Sequence, residues 1–218
     1  LIGHSRGGEA VAVAAAFNRL DRFPDDATLP FAYGYAIRSV IAIAPSDAQY
    51  LPMGEKVSLQ NINYLTIQGS HDADVYSFAG LNQYHRVTFN QGGPWIKAAL
   101  YIYRANHSQF NTTWDRYDVG EGLSAHFINT AALLPAAEQR KVAQVVISAF
   151  LETTLHDEVG YRPFFRDVRL GNAWLPDTVY LSQYADAATQ YLSTYEEDVN
   201  VTSTTLVGGS QEGASLTQ

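Results

Sequence analysis

The chain has 218 residues, 46% of them hydrophobic and 17% charged, which is enough apolar content for one sizeable core and argues against extended disorder. Its 14 Lys and Arg are scattered and stand against 22 Asp and Glu, for a formal net charge of −8. This argues against a phosphate-reading surface for nucleic acid and against an anionic membrane surface. With no cysteine there is no disulfide, thiolate nucleophile or cysteine zinc site, and no apolar run approaches the roughly 20 residues that span a bilayer.

The first ten residues, "LIGHSRGGEA", contain "GHSRG" at 3–7, a match to G-x-S-x-G. In that pattern a sharp strand-to-helix turn holds a serine hydroxyl above a sheet, and Gly3 and Gly7 are expected where a side chain would collide across the turn. "EAVAVAAAFNRL" (9–20) reads as a helix buried on most sides, and "FPDDATLP" as a loop. "RSVIAIAP" (38–45) is a short β-branched run stopped by proline, the mark of a buried parallel strand. "INYLTIQGSHDADV" (62–75) repeats the form: an apolar strand, a glycine, then an acidic polar loop. "SFAGLNQYHRVTF" (77–89) reads as a helix, and "WIKAALYIYRANHSQFN" (95–111) as a third strand running into a loop with a histidine. The succession is read as alternating helix and strand, hence a mostly parallel α/β sheet with flanking helices.

"LPAAEQRKVAQVVISAFLETTLHD" (134–157) has proline near a helix start and apolar residues at Val142, Val145, Val146, Ala149, Phe150 and Leu151, so a long helix is expected to cover one face of the sheet. From "WLPDTVYLSQYADA" onward the texture turns to Thr, Tyr, Ser and Gly. The organisation expected is therefore a catalytic α/β portion over 1–175 and a β-rich extension over 176–218, the start of an appended β-domain. Gripping substrate, gripping a cell surface and simple packing all fit such an extension.

Serine hydroxyl is a weak nucleophile that needs a base within hydrogen-bond reach, and the base needs a carboxylate to fix its tautomer. The strands after Ser5 end in those groups, in the order acid and then histidine. Ser5 is thus the candidate nucleophile, His107 the general base and then acid, and Asp72 the orienting acid. Asp74 is the second-choice acid, since it lies one step nearer the following helix and could cap it instead. His4, beside the nucleophile, and His71, beside the acid, are candidate pocket residues. His85, His126 and His156 read as surface or satisfied histidines. A metal reading of His71, Asp72 and Asp74 matches no known loop spacing, and no metal is expected. "EED" at 196–198 reads as a solvated turn rather than a cation site. "YRPFF" and "NAWLP" read as core under the long helix. "NHS" at 106–108, "NTT" at 111–113 and "NVT" at 200–202 fit the glycosylation pattern, and the first two are discounted because they flank the histidine loop.

Over approximately Leu1 to His156 the residues resemble the α/β-hydrolase family. "GHSRGGEA" is similar to the elbow of the branch that holds chlorophyllases, dienelactone-hydrolase-like enzymes and bacterial polyester hydrolases, and "GSHDADV" and "ANHSQFN" are similar to its acid and histidine loops. The resemblance implies hydrolysis of a small-molecule or polymeric carboxylic ester through an acyl-enzyme, with no cofactor, and assigns the backbone N–H of Arg6 to the oxyanion hole. It also implies that this chain is the C-terminal half of the fold, because the family's elbow follows its fifth strand and its other oxyanion donor comes from a loop after the third. Losing one such donor costs about 10²–10³ in rate, and strands without their neighbours expose unpaired edges, so the piece alone is expected to be poorly stable or inactive. Amide or peptide hydrolysis by the same triad, and a hydrolase-like binding or adhesion module without turnover, are the alternatives.

Overall fold

The computed structural model describes residues 1–114, 116–119, 127, 129–194, 202, 204–210 and 212. Two compact units divide them, Leu1–Ala187 and Ala188–Gln218.

The first unit is built on a five-stranded sheet in the order β1 (Ile2–His4), β2 (Ser39–Ile43), β3 (Asn63–Gly69), β4 (Ile96–Ile102), β5 (Tyr180–Asp186). The first four strands are parallel, with Gly3 opposite Ala42, Ile41 opposite Leu65 and Leu65 opposite Ala98. β5 runs antiparallel to β4, with Ala99 opposite Gln183.

Side chains alternate across the sheet as the two-residue period of a strand requires. Ile41, Leu65, Ile67, Ala98 and Leu100 face the long helix α3 (Ala136–Leu155), which buries Val142, Val146, Ala149 and Phe150 against them. Val40, Ala42, Tyr64 and Ala99 face the other way and pack with Ala12 and Ala15 of α1 (Arg6–Phe17) and Tyr84 of α2 (Ala79–His85). A mixed α/β unit with a mostly parallel sheet covered on both faces results. It explains why β3 is buried along its whole length, its polar Asn63, Thr66 and Gln68 included. Phe164 and Phe165 of a short helix α4 (Arg162–Arg166) and Leu175 join the core under α3, as the aromatic run suggests, whereas Trp174 is half exposed. Among the described residues no helix is long and apolar enough to cross a membrane.

Three expectations need correction. The crossover from β2 to β3 holds a 3₁₀ turn at Pro52–Gly54 and a two-residue strand, Leu59–Gln60, that pairs with Val87–Thr88, but no α-helix, so the strict alternation of helix and strand fails there. The segment read as a loop at "FPDDATLP" contributes Asp26–Pro30 to a small antiparallel ladder with Arg22–Phe23. The third concerns the boundary at 175/176: Tyr180–Asp186 is the last strand of the main sheet, not the first of a separate module. Its outward face is exposed, which gives it the polar, tyrosine-rich texture of an edge strand. In the second unit the described residues form turns and no strand, held by Thr194 N donating to Thr205 Oγ1 at 2.9 Å and Leu206 N to Leu192 O. The "EED" segment at 196–198 and His126 lie outside the described residues.

Candidate active site

The site sits at the C-terminal ends of β1, β3 and β4, where the loops of a parallel sheet gather. Ser5 lies between β1 and α1 with φ 59° and ψ −130°, a conformation L residues rarely hold and one that costs on the order of 1–3 kcal/mol. Its backbone is fixed on both sides, with Ser5 N donating to Ile43 O at 2.9 Å and Gly8 N to Ser5 O at 2.8 Å. Serine before a helix normally caps it, but the Ser5 hydroxyl does not. Ser5 lines the cleft of this site.

The tightness of this turn is carried by Gly3 and Gly8. A Cβ on Gly3 would lie 2.0 Å from the Gly7 carbonyl oxygen, and one on Gly8 would lie 2.7 Å from Pro45 Cβ. The expectation for Gly7 is corrected, because a Cβ there meets nothing within 4 Å. Gly3→Ala is therefore expected to lower the melting temperature sharply or prevent folding. Gly7→Ala, inside α1, should be neutral or stabilising by up to about 1 kcal/mol through the lower backbone entropy of the unfolded chain. Thermal melts of the two variants check this; a Gly3→Ala protein as stable as the parent would contradict the close approach.

Asp72 follows β3 and is buried, as is His107 after β4. Asp72 Oδ2 accepts from His107 Nδ1 at 2.9 Å, while Oδ1 accepts from Asp74 N at 3.0 Å and Val75 N at 2.6 Å. Asp74 is at the other side of the ring: its half-exposed carboxylate has an oxygen 3.3 Å from His107 Nε2. Of the two acids, then, Asp72 holds Nδ1 and Asp74 sits near the opposite nitrogen. With Nδ1–H committed to Asp72, the Nε2 lone pair is left without a hydrogen-bond partner. Ser5, Arg6, Asp74, His107 and Trp114 line one cleft of about 850 Å³.

Burial works against a charged His107, but the hydrogen bond and charge of Asp72, with the charges of Asp74 and Asp118, outweigh it and raise its pKa. Burial also raises the pKa of Asp72, an effect opposed by His107 and the Val75 N–H. His4 is pushed down to about 4 by burial and by the neighbouring His107. It is a neutral packing partner with its ring 4.8 Å from that of His107 and 5.0 Å from that of Trp114, and its Nε2 is 3.1 Å from the His107 carbonyl oxygen. Trp114 stacks on His107, 10° from parallel with centroids 5.9 Å apart.

His71 does not reach this cleft. Its Nδ1 pairs with Ser70 Oγ at 2.7 Å and its ring meets Tyr103, so the pocket role expected of it is corrected. His85 ends α2, and His156 pairs with Glu152 at 2.8 Å. Asn106 is fully buried, which removes its glycosylation motif from consideration. Among the described residues no group of three or more His, Cys, Asp or Glu side chains is arranged to hold a metal ion.

Two carboxylates in the site carry no local sequence signal. Glu9, in the first turn of α1, accepts from Ser46 Oγ and Gln49 N at 2.8 Å and from Tyr50 N at 3.0 Å, fastening the loop after β2 beside the cleft. Asp118 binds both the acid loop and the histidine loop. The general rule that buried backbone donors need acceptors points to such residues as a class, without naming positions. No family model matches the chain, and no curated protein matches it, so its function rests on the chemistry of this site.

Proposed function

We propose that the protein is a serine hydrolase of the α/β-hydrolase type that cleaves carboxylic esters, small or polymeric, through an acyl-enzyme. The observation that carries this reading is the buried Asp72–His107 pair, whose histidine has an unpartnered Nε2 and lines the same cleft as a serine on a strained strand-to-helix turn. A buried carboxylate–imidazole pair offers little stability over apolar packing, so catalysis accounts for it better than a binding module does.

In the proposed reaction Ser5 Oγ bonds to the ester carbonyl carbon while His107 Nε2 takes the hydroxyl proton. The oxyanion lies toward Arg6 N–H, the first amide of α1, where the helix offers no acceptor and its dipole favours negative charge. Collapse breaks the bond to the alcohol oxygen, which takes the proton from Nε2. Water then attacks the acyl-enzyme, gives its proton to Nε2 and, after the Ser5–acyl bond breaks, Ser5 Oγ recovers that proton. Asp72 keeps Nδ1–H in place and offsets the imidazolium charge throughout.

Quenching the protein during turnover of a short-chain aryl ester should yield an acyl adduct on the peptide that contains Ser5, with a burst of released alcohol. Hydrolysis without that adduct would contradict the mechanism. Loss of turnover with retained ester binding would favour the binding-module alternative.

The pH dependence has a definite sign. The base must be neutral and its pKa is raised, so imidazolium persists to higher pH and the acid limb of kcat/KM should lie above the ordinary histidine value of about 6.5. Asp74→Asn removes one charge that stabilises the imidazolium and should move that limb to lower pH. A limb unmoved by the substitution would show that Asp74 does not act on His107.

A further inference from the structure

We propose that Asp118 is a positioning residue for the Asp72–His107 pair, its carboxylate clasping the loop after β3 to the loop after β4. Its Oδ2 accepts from Ala73 N at 2.9 Å and from His107 N at 3.0 Å; its Oδ1 accepts from Ser108 N and from Asn106 Nδ2, both at 2.9 Å. Ala73 is the residue after Asp72, and His107 is the base itself. One side chain therefore sets the separation of the two backbones from which the 2.9 Å Asp72–His107 bond is made.

The chemistry requires a carboxylate there. The groups that converge on Asp118 are all N–H donors. A hydroxyl or amide brings a donor of its own and one oxygen, whereas an ionised carboxylate has two oxygens and only accepts. The clasp is anchored in the core. Fully buried Asn106, which holds Oδ1, donates its backbone N–H to Gln139 Oε1 at 3.0 Å, and Gln139 Nε2 returns a bond to Asn106 O at 2.8 Å. Gln139 is itself fully buried in α3, so the packed helix, Asn106, Asp118 and the two loops form one continuous hydrogen-bonded chain.

This role rests on the hydrolase reading for its catalytic consequence, but the positioning itself has a readout that needs no turnover. The His107 Nδ1–H proton should give a resolved downfield NMR signal in the wild-type protein. In Asp118→Asn the amide oxygen can keep two donors while its NH₂ confronts the other two, so the loops separate. That signal should weaken or shift upfield, and kcat should fall by about 10²-fold with KM little changed, the usual cost of a displacement near 1 Å. Asp118→Glu, which keeps the charge, should recover part of the signal. A folded Asp118→Asn protein with the wild-type Nδ1–H signal and wild-type kcat would overturn the proposal. If the wild type shows the signal without hydrolysing any ester, the hydrolase reading fails while the variant's signal still decides the role of Asp118. Should Asp118→Asn not fold, hydrogen exchange on the wild type decides: slow exchange at the amides of Ala73, His107 and Ser108 supports the clasp, and fast exchange at all three overturns it.

Discussion

Ser5→Ala is expected to lower kcat by on the order of 10⁶ while leaving the fold intact, the loss typical when a triad nucleophile is removed from an otherwise assembled site. The two halves of that expectation have separate causes. Activity falls because no other group on the strand-to-helix turn can attack: the neighbouring His4 is packed against His107 and Trp114, and the guanidinium of Arg6, always protonated, is no nucleophile. Stability holds because the hydroxyl does not cap α1, and the bonds that fix the residue, Ser5 N to Ile43 O and Gly8 N to Ser5 O, belong to the backbone. Melting temperature and ester turnover measured on one preparation separate the two. A variant that melts like the parent and still hydrolyses esters would remove Ser5 from the mechanism.

Asp72→Asn should cost on the order of 10⁴ in kcat, because it forces the wrong tautomer on His107. Asp72 Oδ1 is occupied by the N–H groups of Asp74 and Val75, so the asparagine must keep its oxygen there and turn its NH₂ toward His107 Nδ1. Nδ1 then has to accept, the proton moves to Nε2, and the base has no lone pair for the serine proton. Asp74→Asn changes no such bond, since that side chain is half exposed and lies near Nε2. It should change the pH profile far more than the maximal rate. Comparable losses in both variants would mean that the carboxylates share the work and that the buried hydrogen bond does not decide the tautomer.

How much of this was legible in the sequence follows from the range of each interaction. Ser5 was singled out by the G-x-S-x-G pattern, and Asp72 and His107 because each follows an apolar strand; that Ser5 and His107 line one cleft follows because parallel strands bring their C-terminal ends together. That Asp72, and not Asp74, pairs with His107 Nδ1 was legible too, since Asp72 lies nearer the strand end. Asp118 was not, because its partners Ala73, Asn106, His107 and Ser108 bind it through groups that leave no pattern at position 118. Glu9 was hidden for the same reason. Gly8 was missed in favour of Gly7 because the contact that needs a glycine is with Pro45, a partner brought in by the next strand. β5 was misread because an edge strand with one solvated face resembles the strands of a separate β-module, and only its pairing with β4 distinguishes them. His71 turned out to be held by its immediate neighbour Ser70, a local bond that adjacency to the acid did not reveal.

The most direct test of the central claim is labelling by a fluorophosphonate, which reacts with an activated serine and needs no knowledge of the natural ester. The protein should acquire a single adduct on the peptide that contains Ser5, and the Ser5→Ala variant should acquire none. A folded protein that stays unlabelled at Ser5 would contradict the account, because it would mean that Ser5, His107 and Asp72 do not act together as a nucleophile and its base.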